Sequence, residues 1–252
     1  MSDETQNPNL SLLRSAESEL LLAHLRPGMR VLELGGGNGF QAKLLHDHGC
    51  VVTSLDIPSR SAPVVQYFPV QSYDGTRIPA PEASFDAVFS ASVLEHVRDL
   101  PALFTDLRRV LTPEGFMVHI VPSPVWRLWT SLARYPFLAR ELVQSGLSPA
   151  PGDTRGPLRR AASFLKTLLI EPPHGEYQSA LVELYHYRHR SWSRLFERTG
   201  WSVVESYGNG LFYTGVSTFP NLSLATRRRL AKLLGSSCIV FVLRPKTAHE
   251  GR

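Results

Sequence analysis

The stretch VLELGGGNGF, Val31 to Phe40, constrains the fold of this chain more than any other. A short apolar run leads into four glycines within five positions. An apolar run that stops at glycine reads as a buried strand ending in a tight turn. Glycine there lets backbone N–H groups approach a ligand closely and sets that ligand at the N-terminus of the following helix. The stretch therefore predicts a nucleotide-like cofactor site at the end of the first strand of an α/β fold. Gly37-Asn38-Gly39-Phe40-Gln41-Ala42 fits the dinucleotide pattern GxGxxA, and Asp56 stands where that pattern expects an acidic residue. The same residues also read as acidic-x-Gly-x-Gly-x-Gly, from Glu33 through Gly35, Gly37 and Gly39. Alone, the stretch leaves NAD open.

The rhythm around it repeats strand and helix. Residues 10–26 carry apolar positions at helical spacing and end at Pro27-Gly28. MRVLEL, CVVTSLD, a weak strand within VVQYFPVQSYD, DAVFS and FMVHIV read as five strands. Helices are expected over about 38–48 and over 99–111, the second with Asp99 as cap and Pro101 in its first turn. Thr112-Pro113-Glu114-Gly115 reads as a turn. Short, continuous apolar strands suit a sheet covered on both faces. The expected fold is a doubly wound, mostly parallel Rossmann-like α/β sheet with an antiparallel last strand and a helical insertion. Three segments are expected: 1–121, with an N-terminal helix and the cofactor half of the sheet; 122–190, a helical lid; and 191–252, the rest of the same sheet. In the last segment a helix over SWSRLFER, a strand after Gly200, a basic helix over 224–234 and the strand CIVFVL complete the sheet.

Charge follows this division. Residues 1–121 hold nine basic and fourteen acidic side chains, net −5, whereas 122–190 are net +4 and 191–252 net +6. An acidic first half argues against a general nucleic-acid binder, and no aromatic-interleaved RNA motif accompanies the basic residues. The later segments either face something anionic or carry a solvated basic surface. The N-terminus has no basic-then-apolar signal pattern and no run is long enough to span a bilayer, so a cytoplasmic protein is expected. Cys50 and Cys238 each open an apolar run and have no ligand spacing, which reads as core packing.

Four stretches together resemble the class I S-adenosylmethionine (SAM)-dependent methyltransferases acting on small molecules and lipids: VLELGGGNG; VTSLDIP; SYDGTRIPAPEASFDAVFSASVLEHV; and DLRRVLTPEGFMVHIVPSP. The resemblance runs from about Met29 to Val121 and resumes from about His186 to Val204. It implies SAM as cofactor, with S-adenosylhomocysteine as product. It also implies roles residue by residue. Gly35, Gly36, Gly37 and Gly39 would shape the loop around the methionine part of SAM, with Gly36 where relatives carry another small residue. Glu33 would brace that loop and face the amino group. Asp56, followed by Ile57, would accept from both ribose hydroxyls, a task suited to an acceptor-only carboxylate. Asp74 would accept from the adenine amine beside Gly75, although Ser-Tyr-Asp departs from the usual Gly-Asp and a turn-forming role competes. Ser90 to Ser92 would lie beneath the sulfonium. An oxidoreductase on the same fold and a non-catalytic SAM-binding protein are the rivals, and no Tyr-x-x-x-Lys pair supports the first.

Methyl transfer needs alignment more than acid–base groups, with a base only when the nucleophile must lose a proton. The candidate bases are His96, beside Glu95 in LEHV, and His174 with Glu176 in the loop EPPHGEY. His186 and Arg190 would share a face if ELYHYRHRSW were one helix, and no metal site is expected. In the insertion, Trp126, Trp129, Leu132 and Ala133 fall on one helical face with Arg127, Arg134 and Arg140 around it. That pattern suits either a lid packed inward or peripheral contact with an anionic membrane. The expected acceptor is a small molecule, sugar or lipid-linked intermediate carrying an O, N or C nucleophile, with oxygen preferred.

Overall fold

The computed structural model describes residues 8–58, 65–145, 173–214 and 222–246. The middle of the expected insertion, 146–172, lies outside them, as do the side chains of 136–145, Arg140 among them. The elements in chain order are α1 (Pro8–Leu22), β1 (Arg30–Leu34), α2 (Phe40–Asp47), β2 (Val51–Asp56), β3 (Val70–Ser72) and β4 (Phe85–Ala91). A 3₁₀ turn at Leu94–His96 leads to α3 (Leu100–Val110), β5 (Leu111–Pro122) and α4 (Pro124–Ser145). Then come α5 (Ala180–His186), α6 (His189–Arg198), β6 (Trp201–Gly208), α7 (Leu224–Leu234) and β7 (Cys238–Pro245).

Seven strands form one sheet in the order β3-β2-β1-β4-β5-β7-β6. The β1–β2, β1–β4, β2–β3 and β4–β5 pairs are parallel, and β7 runs antiparallel to both of its neighbours. The antiparallel last strand is therefore as expected, but it lies between β5 and β6 and does not close the edge. Thr112–Gly115 is not a turn ahead of the strand. Those residues are looped out within the β5 ladder, between the Phe85–Leu111 and Ala87–Phe116 pairings.

Strand alternation explains the two cores. Val88, Met117, Val121, Phe241 and Leu243 face the layer formed by Leu103, Phe104 and Leu107 of α3 and Trp192 and Phe196 of α6. Their chain neighbours Ala87, Phe89, Val118, Ile120, Val240 and Val242 face the other layer, with Leu21 of α1 and Leu45 of α2. Cys50 and Cys238 are buried in that second layer as free thiols. Asp99 caps α3 by accepting from the Ala102 N–H at 3.0 Å.

His119 on β5 is fully buried, its ring between Phe104 and Phe196 and its Nδ1 2.8 Å from the Ser90 hydroxyl. Burial lowers its pKa to about 3. A folded imidazole that resists protonation contributes stability above the ordinary histidine pKa and loses it as pH falls below that value. From about pH 7.5 to about pH 5, His119 alone should remove about 2 kcal/mol. Urea unfolding at both pH values should show this loss, and His119→Phe should flatten the slope by about one proton.

Helices α4, α5 and α7 close over one end of the sheet. Trp129 of α4 packs on Phe212, and its indole N–H donates to the Leu234 carbonyl of α7. The tryptophan stripe thus faces inward, but Leu132 remains exposed. Arg127 is only 3% exposed and pairs at 3.0 Å with Glu183 of α5, itself fully buried. Arg227, from the basic run of α7, is also buried and donates to the Phe212 carbonyl at 3.0 Å. Two of the cations expected on the surface are therefore structural. His186 and Arg190 do not share a face, because α5 ends at His186 and α6 begins at His189. No helix among the described residues is long and apolar enough to cross a membrane.

Candidate active site

The glycine loop runs from the end of β1 to the start of α2. The Gly35 and Gly36 N–H groups both donate to the Leu55 carbonyl of β2, at 2.8 and 3.1 Å. Gly35, Gly37 and Gly39 all have positive φ, a region that residues with a Cβ rarely adopt. Space matters as much. A Cβ on Gly39 would lie 2.5 Å from the Phe68 carbonyl oxygen, and one on Gly37 would meet nothing within 4 Å. Gly37 therefore presents bare backbone to open space. A Cβ on Gly36 would lie 2.0 Å from the Ser54 hydroxyl oxygen. A small side chain there fits only if Ser54 turns away from Glu33.

Glu33 is 2% exposed, and the Ser54 hydroxyl donates to it at 2.5 Å. Burial raises its pKa to about 7, against the Ser54 hydrogen bond, which lowers it. Asp56, at the end of β2, accepts from the Gly37 N–H at 2.7 Å through Oδ2 and from the Ile57 N–H at 2.7 Å through Oδ1. Each oxygen keeps a lone pair for a ligand. Exposed Ile57, just past β2, lies against Gly75, whose φ is +77. The Asp74 carboxylate is exposed and accepts from the Thr76 and Arg77 N–H groups in its own turn, which holds it below the ordinary carboxylate pKa.

The two serines part company. Ser90 is fully buried with its hydroxyl on His119, so it faces the protein interior. Ser92 is partly exposed at the end of β4 in a left-handed conformation, φ +56, with its N–H donating to the Ile120 carbonyl at 2.9 Å. Such strain in a residue with a Cβ is often found where a site fixes the backbone. Ala91, not Ser90, lines the cleft beside the glycine loop.

That cleft, about 180 Å³, has residues of α1 as its second wall, Leu10, Ser11 and Arg14, facing Gly37, Asn38 and Phe40. The sequence reading missed this wall. Arg14 pairs at 2.8 Å with buried Glu17, which also accepts from the Tyr213 hydroxyl. A charged pair on an otherwise apolar helix face was the available signal. The segment 65–69 forms a further brace that sequence did not show: the Tyr67 N–H donates to the Asn38 carbonyl at 2.8 Å and its ring packs edge-on to Phe40.

His96 and His174 come together, their ring centroids 4.9 Å apart, and Trp126 lies 4.7 Å from His174 on the other side. This cluster adjoins the glycine loop, because Val93, just before the 3₁₀ turn, touches Gly35. Burial lowers both imidazole pKa values, that of His174 to about 4 with His96 adding to the effect. Both rings are therefore neutral near pH 7. The Glu176 carboxylate turns away to an exposed ion pair with Arg98 at 2.7 Å, and its role is to tie the loop down through its N–H, which donates to the Glu95 carbonyl at 3.0 Å. Glu183 anchors the same loop by accepting from the His174 and Gly175 N–H groups at 2.5 and 2.7 Å and from the Tyr187 hydroxyl at 3.2 Å.

Residues 11–206 match the family model described as a methyltransferase domain. The chain is 34% identical over 135 residues to a probable S-adenosylmethionine-dependent methyltransferase of Mycolicibacterium smegmatis, covering 50% of this chain and 51% of that protein. It is 29% identical over 113 residues to a malonyl-[acyl-carrier protein] O-methyltransferase of Serratia marcescens, covering 43% and 44%. The chain spans about half the length of the curated relatives it matches. Among solved structures, the 1,6-didemethyltoxoflavin-N1-methyltransferase of Burkholderia thailandensis superposes with a TM-score of 0.53 at 14% identity, over 98% of this chain and 80% of that one. The match over most of the chain, with the sheet order and the glycine loop, places it plainly: this protein belongs to the methyltransferase-domain family of the class I SAM-dependent superfamily.

Proposed function

We propose that this protein transfers the methyl group of SAM to a small-molecule or lipid-linked acceptor, with a hydroxyl oxygen as the preferred nucleophile. One observation carries the reading: the glycine loop is bridged to Asp56 by the Gly37 N–H and opens its bare backbone onto a cleft. The donor set fits SAM. Glu33 braces the loop beside the place for an ammonium group, Asp56 keeps lone pairs for two ribose hydroxyls, and exposed Ile57 offers an apolar side chain to a flat ring. When bound, SAM supplies a methyl on a sulfonium, already activated for attack. The chain aligns the nucleophile and excludes water. His96 and His174, neutral near pH 7, offer ring nitrogens to an acceptor proton, and Trp126 gives that side an apolar wall. Relatives named for malonyl-acyl-carrier-protein, demethylmenaquinone and sterol methylation support the small-molecule and lipid class. Helix α4 and the described residues 173–190 then cover the acceptor, and the exposed Leu128, Leu132 and Tyr135 of α4 suit an amphiphilic acceptor or a membrane surface. Cytoplasmic residence fits this reading.

Calorimetric titration with SAM, S-adenosylhomocysteine, NAD and NADP tests it. Micromolar binding of the first two alone is the expected result, and binding of a nicotinamide cofactor instead would overturn it. Asp56→Ala should weaken SAM by about tenfold to a hundredfold, through loss of charge-assisted hydrogen bonds. Unchanged affinity in the folded variant removes Asp56 from the cofactor site. A labelled-methyl screen of acceptors then separates turnover from binding alone.

A further inference from the structure

We infer that Glu95, His96 and His174 form a binding site for a divalent first-row transition ion, Zn²⁺ in the first instance. One donor atom from each residue lies within 4.8 Å of the others. The donors are two imidazoles and a carboxylate, a set that holds zinc or a similar ion with a coordination position left open. Tetrahedral zinc needs its donors about 3.4 Å apart, from bond lengths of about 2.0–2.1 Å. The two histidine side chains are solvent-accessible, which leaves their rings room to turn toward that spacing.

A second observation points to a ligand independently. Glu95 is 2% exposed, and its carboxylate oxygens have no hydrogen-bond partner among the described residues beyond its own backbone N–H. A buried carboxylate is normally paired or coordinated, because desolvation without a partner costs several kcal/mol. Arg14 attracts it from within the protein but already bonds Glu17. A metal ion at the cluster would supply what Glu95 lacks.

The scaffold is held before any ion arrives. The 3₁₀ turn that carries Glu95 and His96 and the loop that carries His174 are stitched by the Glu176 N–H on the Glu95 carbonyl. Gly175 packs so tightly there that a Cβ would lie 2.4 Å from that same carbonyl oxygen. Glu183 fixes the His174 backbone from the other side. Residues 95–96 and 174 are far apart in sequence, so this closeness needs the loop to dock, and the contacts that dock it surround the three donors. The site shares His96 and His174 with the acceptor side proposed above, but none of its donors is a SAM contact, so Zn²⁺ binding in the absence of SAM and SAM binding succeed or fail separately.

The test uses the full chain, dialysed against chelator and titrated with Zn²⁺ in the absence of SAM. One equivalent should bind with micromolar affinity or tighter. Glu95→Gln and His174→Ala, checked for fold by circular dichroism, should each weaken it at least about thirtyfold. Absence of stoichiometric binding, or unchanged affinity in both folded variants, overturns the site. A second measurement needs no variant. Co²⁺-loaded wild-type protein should show paramagnetically shifted, exchangeable imidazole N–H protons from two histidines in its proton NMR spectrum, and fewer than two also overturns it.

Discussion

Glu183→Ala should destabilise the protein by about 3–5 kcal/mol, the effect of taking one partner from a buried ion pair. Three consequences coincide at this side chain. The Arg127 guanidinium loses its carboxylate in a setting where it is 3% exposed. The His174 and Gly175 N–H groups lose their common acceptor, and so does the Tyr187 hydroxyl. Urea unfolding followed by tryptophan fluorescence measures the change, because Trp126 and Trp192 lie beside the affected loop and helix. Pairing the substitution with Arg127→Met separates the terms. Replacing both ions by apolar groups should restore most of the ion-pair contribution. It should not restore the loop bonds, so the double variant should regain only part of the loss. Full recovery would show that the loop is held by other contacts. No loss in the single variant would show that the ion pair is not formed in solution.

Gly39→Ala should lower SAM affinity by about thirtyfold or more while leaving most of the fold intact. The residue has φ +75, which costs roughly 1–2 kcal/mol once a Cβ is present. The added carbon would also lie 2.5 Å from the Phe68 oxygen and 2.8 Å from its nitrogen. Both are backbone atoms, so the loop must move, and with it Asn38, whose carbonyl holds Tyr67. Calorimetry with S-adenosylhomocysteine reads the affinity, and thermal unfolding of the free protein reads the fold. Gly36→Ala is the informative contrast. Its Cβ meets only a hydroxyl and the end of a carboxylate within 3 Å, groups that can rotate, so the expected loss is about 1 kcal/mol, the value of one hydrogen bond. Equal effects at the two positions would mean that close approach to Phe68 is not what Gly39 provides.

The sheet was legible in sequence because its information is local. Each strand is a short apolar run, and VLELGGGNGF carries both the strand and its turn. What escaped depends on residues far apart. Arg127 reads as one cation around an amphipathic helix until Glu183, on another helix, is brought against it. Glu17 reads as an ordinary helical acid until Tyr213 meets it. Ser90 is a different failure. Alternation along FDAVFSA sets Ser90 on the face of Val88, opposite Phe89 and cleft-lining Ala91, so the period of the strand already separated Ser90 from Ala91. Asp74 shows the reverse, since the turn-forming habit of Asp before glycine anticipated the bonds to Thr76 and Arg77.

The position of β7 between β5 and β6 has a bearing on how the protein is made. During synthesis β6 emerges before the strand that pairs with it on its inner side, and β5 emerges earlier still. Until Cys238–Pro245 leave the ribosome, β5 has an unpaired edge carrying Met117, Val118 and Ile120, and β6 has no neighbour in the sheet. Exposed apolar edges of that kind recruit other strands. Translation arrest just short of β7 should therefore yield a nascent chain that binds chaperones, whereas release of a few residues more should allow the sheet to seal in one step.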